Sequence, residues 1–157
     1  MASIAQWVAG DQAFSSGNLA DNTAMASRSS GYYNIAQVSG SDVVIDNATN
    51  LDQFLAITVV LGSWTPTVTD YLELYTLYAP DGTNYESGSS SYLPEMDRIW
   101  HSKSLSTDTS AAAKRFMLWR PIRPFKTKIL WRWMATNATA ASGNSMSWQT
   151  FNINLNA

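Results

Sequence analysis

The sequence predicts an all-β protein, a two-sheet β-sandwich of jelly-roll type with an extended N-terminal arm. Apolar and polar residues alternate in several short segments, as they do in strands with one buried face. Turn-forming groups such as Pro80-Asp81-Gly82 separate these segments. No segment repeats apolar residues at the spacing of an amphipathic helix. Many short strands with turn-rich spacers favour a sandwich over other all-β folds.

Two strands are defined most clearly by their patterns. The segment Gln53 to Leu61 carries apolar residues at both parities, so we expect a strand buried on both faces. In the segment Lys126 to Ala135, Ile129, Trp131 and Trp133 share one face. Its other face is mainly polar, which predicts a strand with one buried side.

The last strand is expected from Ser145 to Leu155, with a change of parity inside it. Met146 and Trp148 share one parity, whereas Phe151 has the other. This switch predicts a β-bulge near Gln149. Further strands are expected at 32–38, 43–45, 70–79, 96–105 and 113–122.

Residues 1–30 differ from the sandwich domain expected over 31–157. They are rich in Ala, Ser, Asn and Gly, and their apolar residues show no period. Such a segment buries too little surface alone to offset its ordering entropy. One interpretation is a tail without fixed structure. The favoured interpretation is an arm that orders on a neighbouring subunit, with Trp7 and Phe14 as anchors.

Charged residues make up only 14% of the chain, against roughly 25% in an average soluble domain. A chain with few charges is typical of proteins packed against partners. Basic residues and aromatics interleave between Lys114 and Arg132, a pattern that nucleic-acid binding would also produce. Strand alternation explains these positions without it, and neither nucleic acid nor a membrane is expected as a partner. The chain has no cysteine, which excludes disulfides and thiolate zinc sites.

Residues that could act in catalysis or bind a metal are sparse. We therefore expect no enzyme activity, no catalytic residue, no metal and no cofactor. His101 is the only histidine, and it lies within a predicted strand. Glu73 with Glu95 or Asp97 is the only nominated carboxylate pair, and no spacing singles it out.

The chain is rich in tryptophan, with seven Trp residues. Trp64, Trp100, Trp119 and Trp148 are candidates for stacking on sugars. Placement in the core and at subunit interfaces is the favoured alternative, because Trp is enriched there too.

Two segments resemble small virion proteins of tailed bacteriophages. The first is the strand 71–79 running into the turn Asp81-Gly82-Thr83-Asn84-Tyr85. The second is Pro124-Phe125-Lys126-Thr127-Lys128 followed by the loop from Asn137 to Asn144. Together they cover roughly residues 51–157 and leave the arm unmatched. The heavy Trp content between residues 100 and 148 departs from that pattern.

This resemblance implies a capsid decoration (cement) protein, made in the bacterial host cytoplasm and carried on the capsid surface of the virion. Its expected partners are the major capsid protein and copies of itself, as a homotrimer. We expect Arg120, Arg123 and Arg132 to make polar contacts with these partners. The alternative is a tail-associated adhesion or carbohydrate-binding module with glycan partners.

Overall fold

A computed structural model describes residues 4–6, 16–67, 69–89, 91–95, 98–105 and 113–156. Antiparallel strands form two main sheets that face each other across one core. Two single-turn helices, α1 (Asn22–Met25) and α2 (Asn47–Asn50), are each capped by an aspartate side chain. The all-β prediction is confirmed; one-turn helices are too short to show a helical period in the sequence.

The long strands lie close to the expected bounds. The strands are β1 (Ile4–Gln6), β2 (Ser16–Ala20), β3 (Tyr33–Ile35), β4 (Gln37–Val38), β5 (Ser41–Asp42), β6 (Ile45–Asp46), β7 (Phe54–Leu61), β8 (Tyr71–Ala79), β9 (Ile99–Ser104), β10 (Lys114–Pro121), β11 (Lys126–Met134), β12 (Ser145–Phe151) and β13 (Asn154–Asn156). By contrast, β1, β2 and β5 were not expected, and the strand expected at 145–155 ends at residue 151.

The strand order is that of a jelly roll. One sheet has the order β10-β7-β12-β2, and the other has β3-β11-β8-β9, with β6 also paired to β11. The pairs β2·β12, β3·β11, β7·β10 and β8·β9 nest inside one another, as in a long hairpin rolled onto itself. The predicted two-sheet sandwich is therefore confirmed.

The core between the sheets is built from the inward parity of each strand. Leu55, Ile57 and Val59 of β7 are fully buried and face Trp131 and Trp133 of β11. Trp133 also packs edge-on against Trp64, with 5.0 Å between ring centroids, and its indole N–H donates to the carbonyl of Asn137. Burying an indole with its N–H paired avoids the cost of an unsatisfied donor.

The expectation that the Gln53 to Leu61 strand is buried on both faces is wrong. In β7 only the inward residues are buried; Phe54, Ala56, Thr58 and Val60 are half-exposed on the outer face. The cause is that no further layer covers this sheet within the described residues.

The predicted bulge near Gln149 is also absent. The pairing of β12 with β7 is continuous from Ser145 to Phe151. The register shift lies between Met146 and Ser147, on the β2 side. The apolar parity changes because Phe151 packs on the outer face, against Phe54, rather than in the core.

Residues 16–30, which the sequence placed in the arm, contribute β2 and α1 to the sandwich. Leu19 and Met25 are fully buried, and β2 pairs with β12. Residues 7–15 lie outside the described residues. The two expected anchors of the arm, Trp7 and Phe14, are among them.

A buried carboxylate fixes the entry to β8. Asp70 accepts hydrogen bonds from the backbone N–H groups of Thr67 and Thr136, at 2.6 and 2.8 Å, and from the Thr67 hydroxyl. Burial alone would raise the pKa of Asp70, but these donors outweigh it and hold the pKa below its ordinary value. The ionised form therefore stabilises the fold.

We expect Asp70→Asn to lower the free energy of unfolding by about 2 kcal/mol at pH 7, because the amide cannot replace a carboxylate that accepts three donors. Because the pKa of Asp70 is lowered in the folded state, its stabilising effect is complete above the pKa of about 4 that an aspartate has in the unfolded chain. The effect is lost as pH falls through the pKa of Asp70 in the folded protein. Urea unfolding at pH 7 and pH 3 measures both effects. The exposed Glu95→Gln serves as the control; an unchanged gap between Asp70→Asn and the parent protein at pH 3 would contradict the prediction.

Candidate interaction surface

The two sheets differ in how their outer faces are covered. On the five-stranded sheet, Tyr75, Leu77 and Leu130 are buried against Leu93, from the segment between β8 and β9, and against Ile99 of the neighbouring strand β9. The chain therefore covers this face itself, and β8 is buried on both sides.

Charges on this covered face are paired within the chain. Arg132 Nη1 lies 3.3 Å from Glu73 Oε2, which also accepts a 2.8 Å hydrogen bond from the Tyr75 hydroxyl. Burial and the Glu73 carboxylate raise the pKa of Tyr75 to about 12. Lys128 pairs with Asp42 at 2.9 Å and lies over the ring of Tyr85.

The outer face of the four-stranded sheet is bare within the described residues. We call it the bare face. It has one charged residue, Arg115, and two exposed large apolar residues, Met117 and Trp119, which are 60% and 48% exposed. Antiparallel sheets with one solvated face normally carry polar side chains there. Its members are Ser16, Asn18, Phe54, Ala56, Thr58, Val60, Arg115, Met117, Trp119, Pro121, Ser145, Ser147, Gln149 and Phe151.

One end of the bare face is an aromatic cluster. Phe54 stacks on Phe151 with 5.3 Å between centroids, and Trp119 packs edge-on against Phe54 at 5.6 Å. Phe151 is buried in this cluster, whereas Trp119 keeps about half of its surface exposed. The neighbouring rings hold the indole in place with one side open to solvent.

The middle of the bare face is a shallow polar depression of about 340 Å³. Its hydrogen-bonding side chains make no hydrogen bond with one another or with the rest of the described chain. They are therefore available to an outside partner. These side chains are Ser16, Asn18, Thr58, Ser147 and Gln149.

The three arginines expected to contact partners do not all lie on one surface. Arg120 is exposed on β10, and Arg123 is exposed in the following turn with its guanidinium 5.1 Å from the Tyr78 ring centroid. Arg132 is held by Glu73 on the opposite side of the sandwich. Arg132 is therefore separated from Arg120, which belongs to the other sheet.

The four tryptophans that are candidates for stacking on sugars lie in different environments. Trp64 and Trp100 are buried in the core. Trp148 is half-buried against the core and lies opposite Gly17, where a Cβ atom would come 3.1 Å from the indole nitrogen. Only Trp119 of these four is exposed.

Among the described residues, His101 has no partner that would make it a catalytic base. Burial and the positive charges of Arg120 and Lys103 lower its pKa, and its Nδ1 atom is buried without a hydrogen-bond partner in the described chain. Glu73 is engaged by Tyr75 and Arg132, and Asp97 lies outside the described residues. In the parts of the chain that are described, no three His, Asp or Glu residues form a metal-binding group, and no helix is long and apolar enough to cross a membrane.

The motifs that carry the resemblance hold the fold together. Asp81 accepts hydrogen bonds from the N–H groups of Thr83 and Asn84, which closes the turn after β8. In the loop after β11, Thr139 is buried and donates to the carbonyl of Met25. Asn144 accepts from the N–H of Gly62 and donates to Asn22.

Compared with known protein families, curated proteins and solved structures, the chain matches none of them.

The sequence reasoning missed Met117 and the outer residues of β7 as surface positions. A signal was present: β10 alternates Arg115, Met117 and Trp119 on one parity, opposite a parity that contains Leu118. Because both parities contain apolar residues, hydrophobicity alone does not tell which one faces the core.

We expect Trp119→Ala to cost about 2 kcal/mol of stability, because a half-exposed ring loses two aromatic contacts. Trp133→Ala should cost about 4 kcal/mol, because it opens a cavity in the core. Denaturant unfolding measures both. Equal losses would mean that Trp119 is a core residue and that the bare face is not exposed.

Proposed function

We propose that the protein is a virion structural protein, a capsid decoration protein that binds across subunits of an assembled shell. The observation that carries the proposal is the bare face. It combines exposed Met117 and Trp119 with a single charge, a composition enriched at the centres of protein interfaces. The resemblance of residues 51–157 to tailed-phage virion proteins supplies the partner, the major capsid protein.

The size of the bare face favours binding to a lattice over binding to one free subunit. Four strands about 4.8 Å apart and about seven residues long cover roughly 450 Å². A standard stable interface buries about 800 Å² on each partner. A single bare face therefore needs additional contacts, which an assembled shell provides by placing several subunits side by side.

A protein that binds only the assembled shell stabilises it by mass action. The bare face could then act without any catalytic group. The covered, charge-paired face of the other sheet would remain towards solvent, where paired charges are compatible with water.

Ser147→Glu tests this proposal, because Ser147 is exposed in the middle of the bare face. We expect at least a tenfold weaker binding to capsids that lack the protein, since a carboxylate would be buried without a partner. Co-sedimentation with such capsids measures it. Ser102→Glu makes the same change on the other sheet's outer face and should bind as the parent protein does. Failure of the parent protein to bind capsids would refute the proposal.

A second candidate function is binding of neutral glycans on the same face. Trp119 offers an open ring beside the depression, and Gln149 lies two strands away at the same level, with Ala56 between them. Sugars present apolar C–H faces to aromatic rings and hydroxyls to amide side chains, so this geometry suits them.

If this second function holds, Trp119→Ala and Gln149→Ala should each weaken binding to host envelope glycans, with folding intact by circular dichroism. Tyr92→Ala is the matched control, since Tyr92 is exposed in a loop away from the bare face. Glycan-array signals measure the effect. Glycan binding that persists in both variants would exclude this site.

A further inference from the structure

The edge of the four-stranded sheet formed by β10 has no strand partner on its outer side in the described chain. β10 is eight residues long, whereas the other edge strands β2, β3, β6 and β9 have five, three, two and six. Its central residues Phe116, Met117, Leu118 and Trp119 carry no charge. A long edge strand whose central residues are apolar and uncharged is a template for pairing with another strand.

We propose that β10 pairs antiparallel with β10 of a second copy, joining two four-stranded sheets into one. The twofold axis passes through Met117, so that Met117 faces Met117 of the second copy. Such an interface is isologous: each copy contributes the same strand.

This register is self-complementary on the bare face. Residues Arg115, Met117 and Trp119 share one parity, and antiparallel pairing places residues of the same face opposite each other. Arg115, the only charge on the face, comes opposite Trp119 of the second copy, at a distance suited to a cation–π contact. This pair forms twice, on either side of the central methionines.

The residues of β10 that point to the opposite side of the sheet are also compatible with this register. Phe116 comes opposite Leu118 of the second copy, so both are apolar. Only the outermost pair, Lys114 with Arg120, brings like charges together; Lys114 is buried in its own sandwich, whereas Arg120 extends to solvent. Pro121 has no N–H for a ladder and lies outside the paired residues in this register.

Pairing through β10 also supplies the interface area that a single bare face lacks. Two bare faces joined at β10 form one continuous surface of roughly 900 Å² by the same strand spacings, above the roughly 800 Å² of a standard interface. This use of the dimer rests on the proposed function, whereas the dimer itself does not. The homotrimer expected from the sequence is a different prediction, and the measurement of mass in solution distinguishes the two.

Sedimentation velocity of the full chain without capsids tests the pairing. We expect a concentration-dependent species of twice the 17.3 kDa chain mass. Met117→Lys and Met117→Glu should each weaken it at least tenfold, because like charges then face each other across the axis. An equimolar mixture of the two variants should restore it. Leu51→Lys, at another exposed apolar residue, should dimerise as the parent protein does.

A crosslink tests the register directly, because the chain has no cysteine. Met117→Cys should form a disulfide-linked dimer on mild oxidation, and Leu51→Cys should not. A monomer or trimer for the parent protein, or equal crosslinking of the two variants, would overturn the proposal. A dimer that fails to bind capsids would leave the pairing standing and refute only the proposed function.

Discussion

The pairing of β8 with β11 is the interaction on which the rest of the sandwich depends. Nine residues of each strand are in continuous register, from Lys126 opposite Ala79 to Met134 opposite Tyr71. The ladder places Trp131 and Trp133 in the core and Arg132 beside Glu73 on the outer side. Because side chains alternate with a period of two, a slip of one residue would exchange these sets and bury the arginine instead of the indoles.

Much of the sandwich could be predicted because local alternation reports which residues share a face. It placed β8, β10 and β11 close to their observed bounds. It did not reveal whether the second face of β7 is covered, since covering depends on other parts of the chain. Leu19 and Met25 looked isolated for the same reason: β2 is ordered by β12, far away in the sequence.

The candidate site was less predictable than the fold. Trp119 was one of several tryptophans with similar local patterns, and only the assembled sheet distinguishes it from the buried Trp64 and Trp100. The arginines are close in sequence, yet Arg132 lies beside Glu73 on the five-stranded sheet, whereas Arg120 belongs to the four-stranded sheet. Proximity along a β chain is a poor guide to proximity in space when successive strands belong to different sheets.

The few charged residues of the chain are unevenly distributed between the two sheets. Ion pairs such as Lys128 with Asp42 and Arg98 with Glu86 lie on the five-stranded side or in its covering segment. The bare face has almost none. A globally low charge therefore reflects one surface from which charge is nearly absent, rather than a uniform dilution.

The nested strand order also determines the stage of synthesis at which the four-stranded sheet, and with it the bare face, is completed. β12 lies between β7 and β2, and it is the last of the eight jelly-roll strands to leave the ribosome. The inner pair β8·β9 can close early, since loop closure over short separations is fast, but the four-stranded sheet stays open until β12 is inserted. A chain cut short before residue 145 leaves β2 detached and the sheet split. The proposed assembly through this face would therefore select finished molecules, because only a chain that includes β12 presents the complete face.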